Sequence, residues 1–343
     1  MTEEIGRLLM MGFPIADRAH PGWPRVFEHL QNHRVGTFIL FRPNIAGPDE
    51  LSSLVDDLRT AGGEGLLLAV DQEGGRVQRL SAANGFESFP SAKDVAASMT
   101  EEQAEESAYR MASMLRSNSI TLNLAPCVDL DDEPPCPAIG VAGRSYSADP
   151  TTVVRFARAF VRGHRRAGVR TCLKHFPGHG SARGDTHHGV VDVTDTWRPQ
   201  EQQVYAELIA SGDVDAVMPA HVLHRGVDPD LPASLSAAWG KVLRTDLAFN
   251  GLVISDDLHM GAVVGRFDFH ETVRLALLAG NDMLCFSNNP LAAQDQSIHL
   301  PVLDLPEQFV RVVTELVESG ALDRRIIAGA LKRLGEFGGH GVG

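Results

Sequence analysis

Eight short runs of apolar residues punctuate the chain, and helical patterns fill the intervals. The runs fall at Leu8–Met11, Val35–Leu40, Leu66–Val70, Thr121–Leu124, Arg170–Leu173, Ala216–Met218, Leu252–Ser255 and Met283–Phe286. Within them apolar residues mostly follow one another instead of alternating with polar ones. That is the pattern of strands covered on both faces in a parallel sheet. The segments between carry a 3.6-residue period with readable ends. Leu51, Leu54, Val55 and Leu58 share one face after "GPDE". Thr100 and Gln103 form a candidate capping box for a helix over Glu101–Leu115. Asp149–Pro150 supplies an N-cap and a proline at the first helical position, ahead of an apolar face of Val153, Ala157, Phe160 and Val161. Pro199 opens a helix that Gly212 ends, and Gly280 closes one through Val273, Ala276 and Leu277. "LPEQFVRVVTELVESG" and "LDRRIIAGALKRL" supply two more.

Eight strands alternating with helices predict an α/β fold, a (β/α)8 TIM-type barrel. An open doubly wound sheet is the alternative. No internal repeat, low-complexity tract or Pro/Gly/Ser-rich linker interrupts the pattern. The chain therefore reads as a single domain over 1–343, with 335–343 expected to be a frayed tail.

Composition narrows the function classes. Hydrophobic residues are 43% and charged residues 22% of the 343, enough for a sizeable globular core. The formal charge is 31 − 44 = −13. An acidic surface of that size repels phosphate backbones and argues against a nucleic-acid partner. Cys127, Cys136, Cys172 and Cys285 form no CxxC pair. Their spacing reads as reduced, core-filling thiols and a cytoplasmic location. The start, "MTEEIGRLLMMGFP", carries acids where a signal peptide needs bases. No run approaches the roughly 18 apolar residues of a membrane span. The expectation is a monomer or weak dimer, away from membranes.

Polar residues follow the apolar runs repeatedly. Asp71 comes after "LLLAV", Asp129 after "TLNLAP", Lys174 and His175 after "TCL", His221 after "AVMPA", and Asp256 and Asp257 after "LVIS". One such residue would be a loop cap, whereas five fit a shared pocket mouth at the C-terminal ends of barrel strands. The stretch "LKHFPGHGSARGDTHHG" leaves its strand at Lys174 and shows no period until about Trp197. A loop of that length is a lid, a binding loop or disordered. Within it, Asp185 and His187 fall on one side of an extended segment. The carboxylate can accept from one ring nitrogen and leave the other to carry a proton. Asp256 ends a buried strand, which holds it as rigidly as a nucleophile requires. Two adjacent aspartates could not both ionise freely facing inward, so one is expected in and one out. Alternation alone does not choose between Asp256 and Asp257. His164 reads as partly exposed, and Trp23, Trp197 and Trp239 as packing residues.

These residues belong to longer stretches: "DQEGGRVQRL", "NLAPCVDL" with "AIGVAGRSYSADP", "KHFPGHG" with Asp185-x-His187, "DAVMPAHV" and "GLVISDDLHM". In that order they resemble glycoside hydrolase family 3, and within it the single-domain bacterial β-N-acetylglucosaminidases of cell-wall recycling. The resemblance implies a (β/α)8 barrel and a retaining exo-hydrolase of terminal β-N-acetylglucosamine. It implies small substrates, peptidoglycan fragments such as GlcNAc-1,6-anhydro-MurNAc and its peptides, and no cofactor or metal. It puts Asp256 at the nucleophile position and His187 at the acid/base position, oriented by Asp185. Asp71, Arg79, Arg144, Lys174 and His175 match positions that bind the sugar's hydroxyls. Two departures stand out: Thr186 replaces a common serine, and His188 follows His187 while a proline usual shortly after is missing.

Other readings remain open at this point. A histidine acid/base is neutral when deprotonated, so an anionic acceptor such as phosphate would meet less repulsion, which allows a phosphorylase. A β-glucosidase or broad exo-β-glycosidase is a near alternative. A zinc hydrolase could draw on His175, His179, Asp185, His187, His188 and His221, although no HExxH motif is present. A catalytically dead sugar-binding protein would have lost the nucleophile or the pair, and Asp185, His187 and Asp256 are all in place.

Overall fold

The computed structural model describes residues 2–290 and 302–339. Its strands are β1 (Leu9–Gly12), β2 (Thr37–Leu40), β3 (Leu67–Val70), β4 (Leu122–Asn123), β5 (Arg170–Phe176), β6 (Val191–Asp192), β7 (Ala216–Pro219), β8 (Val222–Leu223), β9 (Leu252–Val253) and β10 (Leu284–Phe286). Eight of them pair in parallel in the order β10-β1-β2-β3-β4-β5-β7-β9. A parallel bridge between Ile254 and Met283 joins the two ends, so the sheet closes into a barrel and the open-sheet alternative falls. All eight expected strands are present. The largest difference is β5, which runs three residues further, so Lys174 and His175 are strand residues and not the start of the loop.

The remaining pair, β6 and β8, makes a small separate parallel sheet, with Val191 opposite Val222. It ties the far end of the long loop to the segment after β7. Two residues per strand are too few to leave a sequence pattern.

The expected caps form. Thr100 Oγ1 accepts the Gln103 amide at 3.3 Å and Gln103 Oε1 accepts the Thr100 amide at 2.9 Å, opening the helix Glu101–Ser117. Asp149 Oδ2 accepts the Thr152 amide at 3.0 Å ahead of the helix Pro150–Arg166. These two helices cross closely: a Cβ on Gly163 would lie 2.5 Å from the Glu105 carbonyl oxygen. His164, expected to be partly exposed, is fully buried. It extends the stripe of Val153, Ala157, Phe160 and Val161 by one turn, stacks on Phe160 at 4.1 Å and pairs with Asn123 at 2.9 Å. Burial drops its pKa to about 3.

Several short helical segments escaped the sequence reading, and three of them show why. Gly22–Gln31 begins in a Gly-Trp-Pro step, Ala92–Ser98 buries no residue and so has no apolar stripe, and Ala237–Lys241 passes into a π-turn. The C-terminal helix Arg324–Gly339 reaches past residue 335, where fraying was expected, because Leu334 and Phe337 still bury one face. Residues 340–343 lie outside the described residues. Among the described residues no helix is long and apolar enough to cross a membrane.

Candidate active site

The C-terminal ends of the strands open onto a cavity of about 230 Å³, small enough to suit one ring-sized group. Asp71, Arg79, Arg144, Lys174, His175, Asp185, His187 and Asp256 all line it. Ile39, Phe41, Leu124 and Met218 supply apolar wall between them.

One side is a buried ionic cluster. Lys174 Nζ lies 2.9 Å from Asp71 Oδ1 and 2.7 Å from Glu73 Oε1. Arg79 donates to the other Asp71 oxygen at 2.9 Å. Arg144 grips Glu73 with two parallel bonds of 2.8 Å and also reaches the Ala138 carbonyl. Burial alone would raise the Asp71 pKa, but the charges of Lys174 and Arg79 outweigh it and hold the group well below the carboxylate range. Glu73 is held at about 2 in the same way by Arg144 and Lys174. Burial would lower the Lys174 pKa, and Asp71 and Glu73 reverse it, so this lysine stays charged. Glu73 was not singled out from the sequence. It sits on the "EGGR" turn, where Gly74 and Gly75 adopt φ of +98° and +58°. A Cβ on Gly74 would lie 2.2 Å from the Pro90 carbonyl oxygen, so only glycine turns the chain here.

The floor holds His175 and the two aspartates after β9. Asp129 Oδ2 accepts from His175 Nδ1 at 2.7 Å, and its oxygens also take the His175 and His179 amides at 3.2 and 2.8 Å. This leaves His175 Nε2 facing Arg144 at 3.4 Å. Asp256 and Asp257 both reach the cavity, so neither points wholly away. Their surroundings separate them. Asp257 Oδ1 accepts the amides of His259 and Ser287, at 3.1 and 3.0 Å, and Oδ2 takes the Ser287 hydroxyl. Asp256 Oδ1 accepts the Asp257 amide at 2.8 Å. Burial would raise the Asp256 pKa, yet the imidazoles of His221 and His175 and the Asp257 amide bring it below the usual value. His221 itself is buried between Ser234 Oγ, at 2.6 Å, and the Asp257 carbonyl, at 3.0 Å.

The loop after β5 arches over this floor. At its base Arg183 donates to Asp132 Oδ2 at 2.9 Å and to the Pro134 carbonyl at 2.6 Å. At its tip the Ala262 amide donates to the Thr186 carbonyl at 3.2 Å. The backbone packs so closely there that a Cβ on Gly261 would sit 2.6 Å from the His187 carbonyl oxygen. Asp185 Oδ1 accepts the His187 amide at 3.0 Å and pairs with His187 Nδ1 at 2.7 Å. Burial would raise the Asp185 pKa, but these two bonds lower it, so it is ionised and can only accept. Nδ1 is therefore the donor and Nε2 remains for other chemistry. His187 faces the cavity, whereas its neighbour His188 does not line it.

The six residues considered for zinc do not gather. Among the described residues the one group with ligand spacing is Cys127, Asp129 and His175, whose ligand atoms lie within 4.8 Å of one another. Those atoms are hydrogen-bonded to each other already. The Cys127 thiol donates to Asp129 Oδ2 at 3.2 Å, and burial, reinforced by the Asp129 charge, pushes its pKa well up. A cation there would have to break both bonds to Asp129 and ionise a buried thiol, so the residues do not fit a metal.

The chain matches the glycosyl hydrolase family 3 N-terminal domain over residues 1–336. It is 40% identical over 272 residues to a β-hexosaminidase of Tolumonas auensis, covering 78% of this chain and 79% of that one. It superposes with a TM-score of 0.86 and 32% identity on a glycoside hydrolase family 3 β-N-acetylglucosaminidase from Paenibacillus sp. str. FPU-7, covering all of this chain and 63% of that one. A β-N-acetylhexosaminidase from Beutenbergia cavernae aligns at 28% identity and a TM-score of 0.84 over 98% of both chains.

Proposed function

Because this chain belongs to glycosyl hydrolase family 3 and is a β-N-acetylhexosaminidase of that family, we propose that it removes terminal β-linked N-acetylglucosamine with retention, using Asp256 as nucleophile and His187 as acid and then base. Its substrates in this reading are small peptidoglycan fragments such as GlcNAc-1,6-anhydro-MurNAc and its peptides. The observation that carries the reading is a single cavity lined at once by the Asp256 carboxylate, the Asp185–His187 pair and the Asp71–Lys174–Arg79 cluster.

Asp256 is ionised and half-buried just past the end of β9, so it attacks the anomeric carbon with little reorganisation. Its Oδ1 is occupied by the Asp257 amide, which leaves Oδ2 for the bond to carbon. As the bond from that carbon to the leaving oxygen breaks, His187 Nε2 gives the oxygen a proton. Asp185 holds the other nitrogen and stabilises the ring while it is charged. Water then attacks the anomeric carbon and loses a proton to neutral Nε2. The ester opens, and Asp256 returns as carboxylate. One group thus acts as acid and as base, with histidine where most such enzymes place a carboxyl. Asp71 accepts from sugar hydroxyls, with Lys174 and Arg79 keeping it charged.

The test uses two β-N-acetylglucosaminides, one with a good and one with a poor leaving group. His187→Ala should cost about 10²–10⁴-fold on the poor leaving group and far less on the good one. Asp256→Asn should abolish turnover of both, and quenched wild-type enzyme should carry a sugar adduct on the peptide containing Asp256. Equal losses of His187→Ala on both substrates would remove His187 from the acid role, and an adduct elsewhere would remove Asp256. A chromogenic β-glucoside run alongside should be turned over far more slowly; comparable rates would favour the broad exo-β-glycosidase.

A further inference from the structure

The loop that carries His187 starts on a buried carboxylate that does not reach the catalytic cavity. Glu201 stands in the first turn of the helix Pro199–Ala210 and is 2% exposed. Its Oε2 accepts the amides of Gly180 at 3.1 Å and Ser181 at 3.4 Å, and its Oε1 accepts the Arg198 amide at 3.3 Å. From the opposite side Asp129 accepts the His175 and His179 amides. The chain between β5 and the loop therefore runs between two buried carboxylates. The fit is tight. A Cβ on Gly178 would lie 2.4 Å from Glu201 Cβ, and one on Gly180 would lie 2.0 Å from the Leu130 carbonyl oxygen.

We propose that Glu201 is a positioning residue for the acid/base pair: by holding the Gly180 and Ser181 amides it sets where Asp185 and His187 stand relative to Asp256. The inference rests on His187 being the acid, as proposed above. A carboxylate is a costly filler for a buried site, since an apolar side chain would pack there without losing hydration. What it adds is direction, because its lone pairs orient amides four and five residues ahead of Asp185.

The two carboxylates differ in one respect. Asp129 is held well below the usual range: burial would raise it, and His175 outweighs burial. Among the described residues no cation forms an ion pair with Glu201. Burial pushes its pKa up to about 7, and the negative Asp129 adds to the rise. The Ser181 side chain and the Arg198 and Ser181 amides lower it, but not enough to cancel the burial. The Arg198 guanidinium is turned away onto Asp132 at 2.7 Å, and Tyr205, one turn along the helix, is a buried phenol. Above about pH 7 the ionised carboxylate accepts all three amides. Below it the group takes up a proton and the clamp weakens.

The experiment compares Glu201→Gln and Glu201→Asp with wild type on the good and poor leaving groups, with His187→Ala as control. Glutamine turns a donor toward donors, so kcat on the poor leaving group should fall about tenfold, with less than about a twofold change on the good one and in KM. The ratio of wild-type to Glu201→Gln kcat on the poor substrate should grow between pH 6 and 8, because only wild type gains the ionised carboxylate there, and Glu201→Asp, which keeps the charge, should lie between. Equal losses on both substrates, or an unchanged pH profile, would overturn the proposal. So would failure of both variants to fold, which would make Glu201 a folding residue. If the His187→Ala control shows no leaving-group preference, the acid assignment fails first and takes this inference with it.

Discussion

Replacing Glu73 with glutamine removes one charge from the buried cluster while keeping its shape. The Glu73 side chain is 5% exposed and faces Arg144 and Lys174 at 2.7–2.8 Å. Its folded pKa is about 2 against an ordinary 4.5. The folded value is the lower one, so the stabilisation is fully present above 4.5 and is lost as the pH falls through 2. At about 1.36 kcal/mol per pH unit, the difference amounts to roughly 3 kcal/mol at neutral pH, somewhat less at pH 4 and roughly 1 at pH 3. Removing one partner of a buried ion pair typically costs about 3–5 kcal/mol, which agrees. Glutamine stands in for the protonated acid, so the difference in unfolding free energy between wild type and E73Q should follow that curve. Urea unfolding of both proteins at pH 7, 4 and 3 measures it. KM should rise as well, because Lys174 and Arg144 lose the carboxylate that holds them. A difference below about 1 kcal/mol at pH 7, or one that does not change with pH, would show that the cluster does not stabilise the fold in this way.

Two further outcomes follow from the geometry. Gly261→Ala places a methyl 2.6 Å from the His187 carbonyl oxygen, so the loop tip must lift. Displacements near 1 Å can cost about 10²-fold. Turnover of the poor leaving group should therefore drop at least tenfold while the melting temperature barely moves, and unchanged kinetics would show that the tip does not need this contact. Exhaustive chelation followed by desalting should leave activity intact, because Cys127, Asp129 and His175 are committed to hydrogen bonds. Loss of activity restored by zinc would reverse that conclusion.

The barrel was legible in the sequence because its signals are local. Consecutive apolar residues mark a strand covered on both faces, and Thr100–Gln103 and Asp149–Pro150 mark helix starts within four residues of chain. The Asp185–His187 pair was legible for the same reason, since both atoms of the contact lie two residues apart. The ionic cluster was not. Glu73 meets Arg144 across 71 residues and Asp71 meets Lys174 across 103. Those distances close only when β3, β4 and β5 pair in one register. The different hydrogen-bond surroundings of Asp256 and Asp257 also waited on the fold. Both carboxylates reach the cavity, and what distinguishes them is Ser287, which sits thirty residues away, just past the end of β10. Glu201 had no signature because its partners are backbone amides, which every residue carries. Periodicity and caps thus determined the eight barrel strands and the longer helices between them. Only closure of the barrel decided which charges would be buried together, because the energy of a buried charge depends on its neighbours in space and not along the chain.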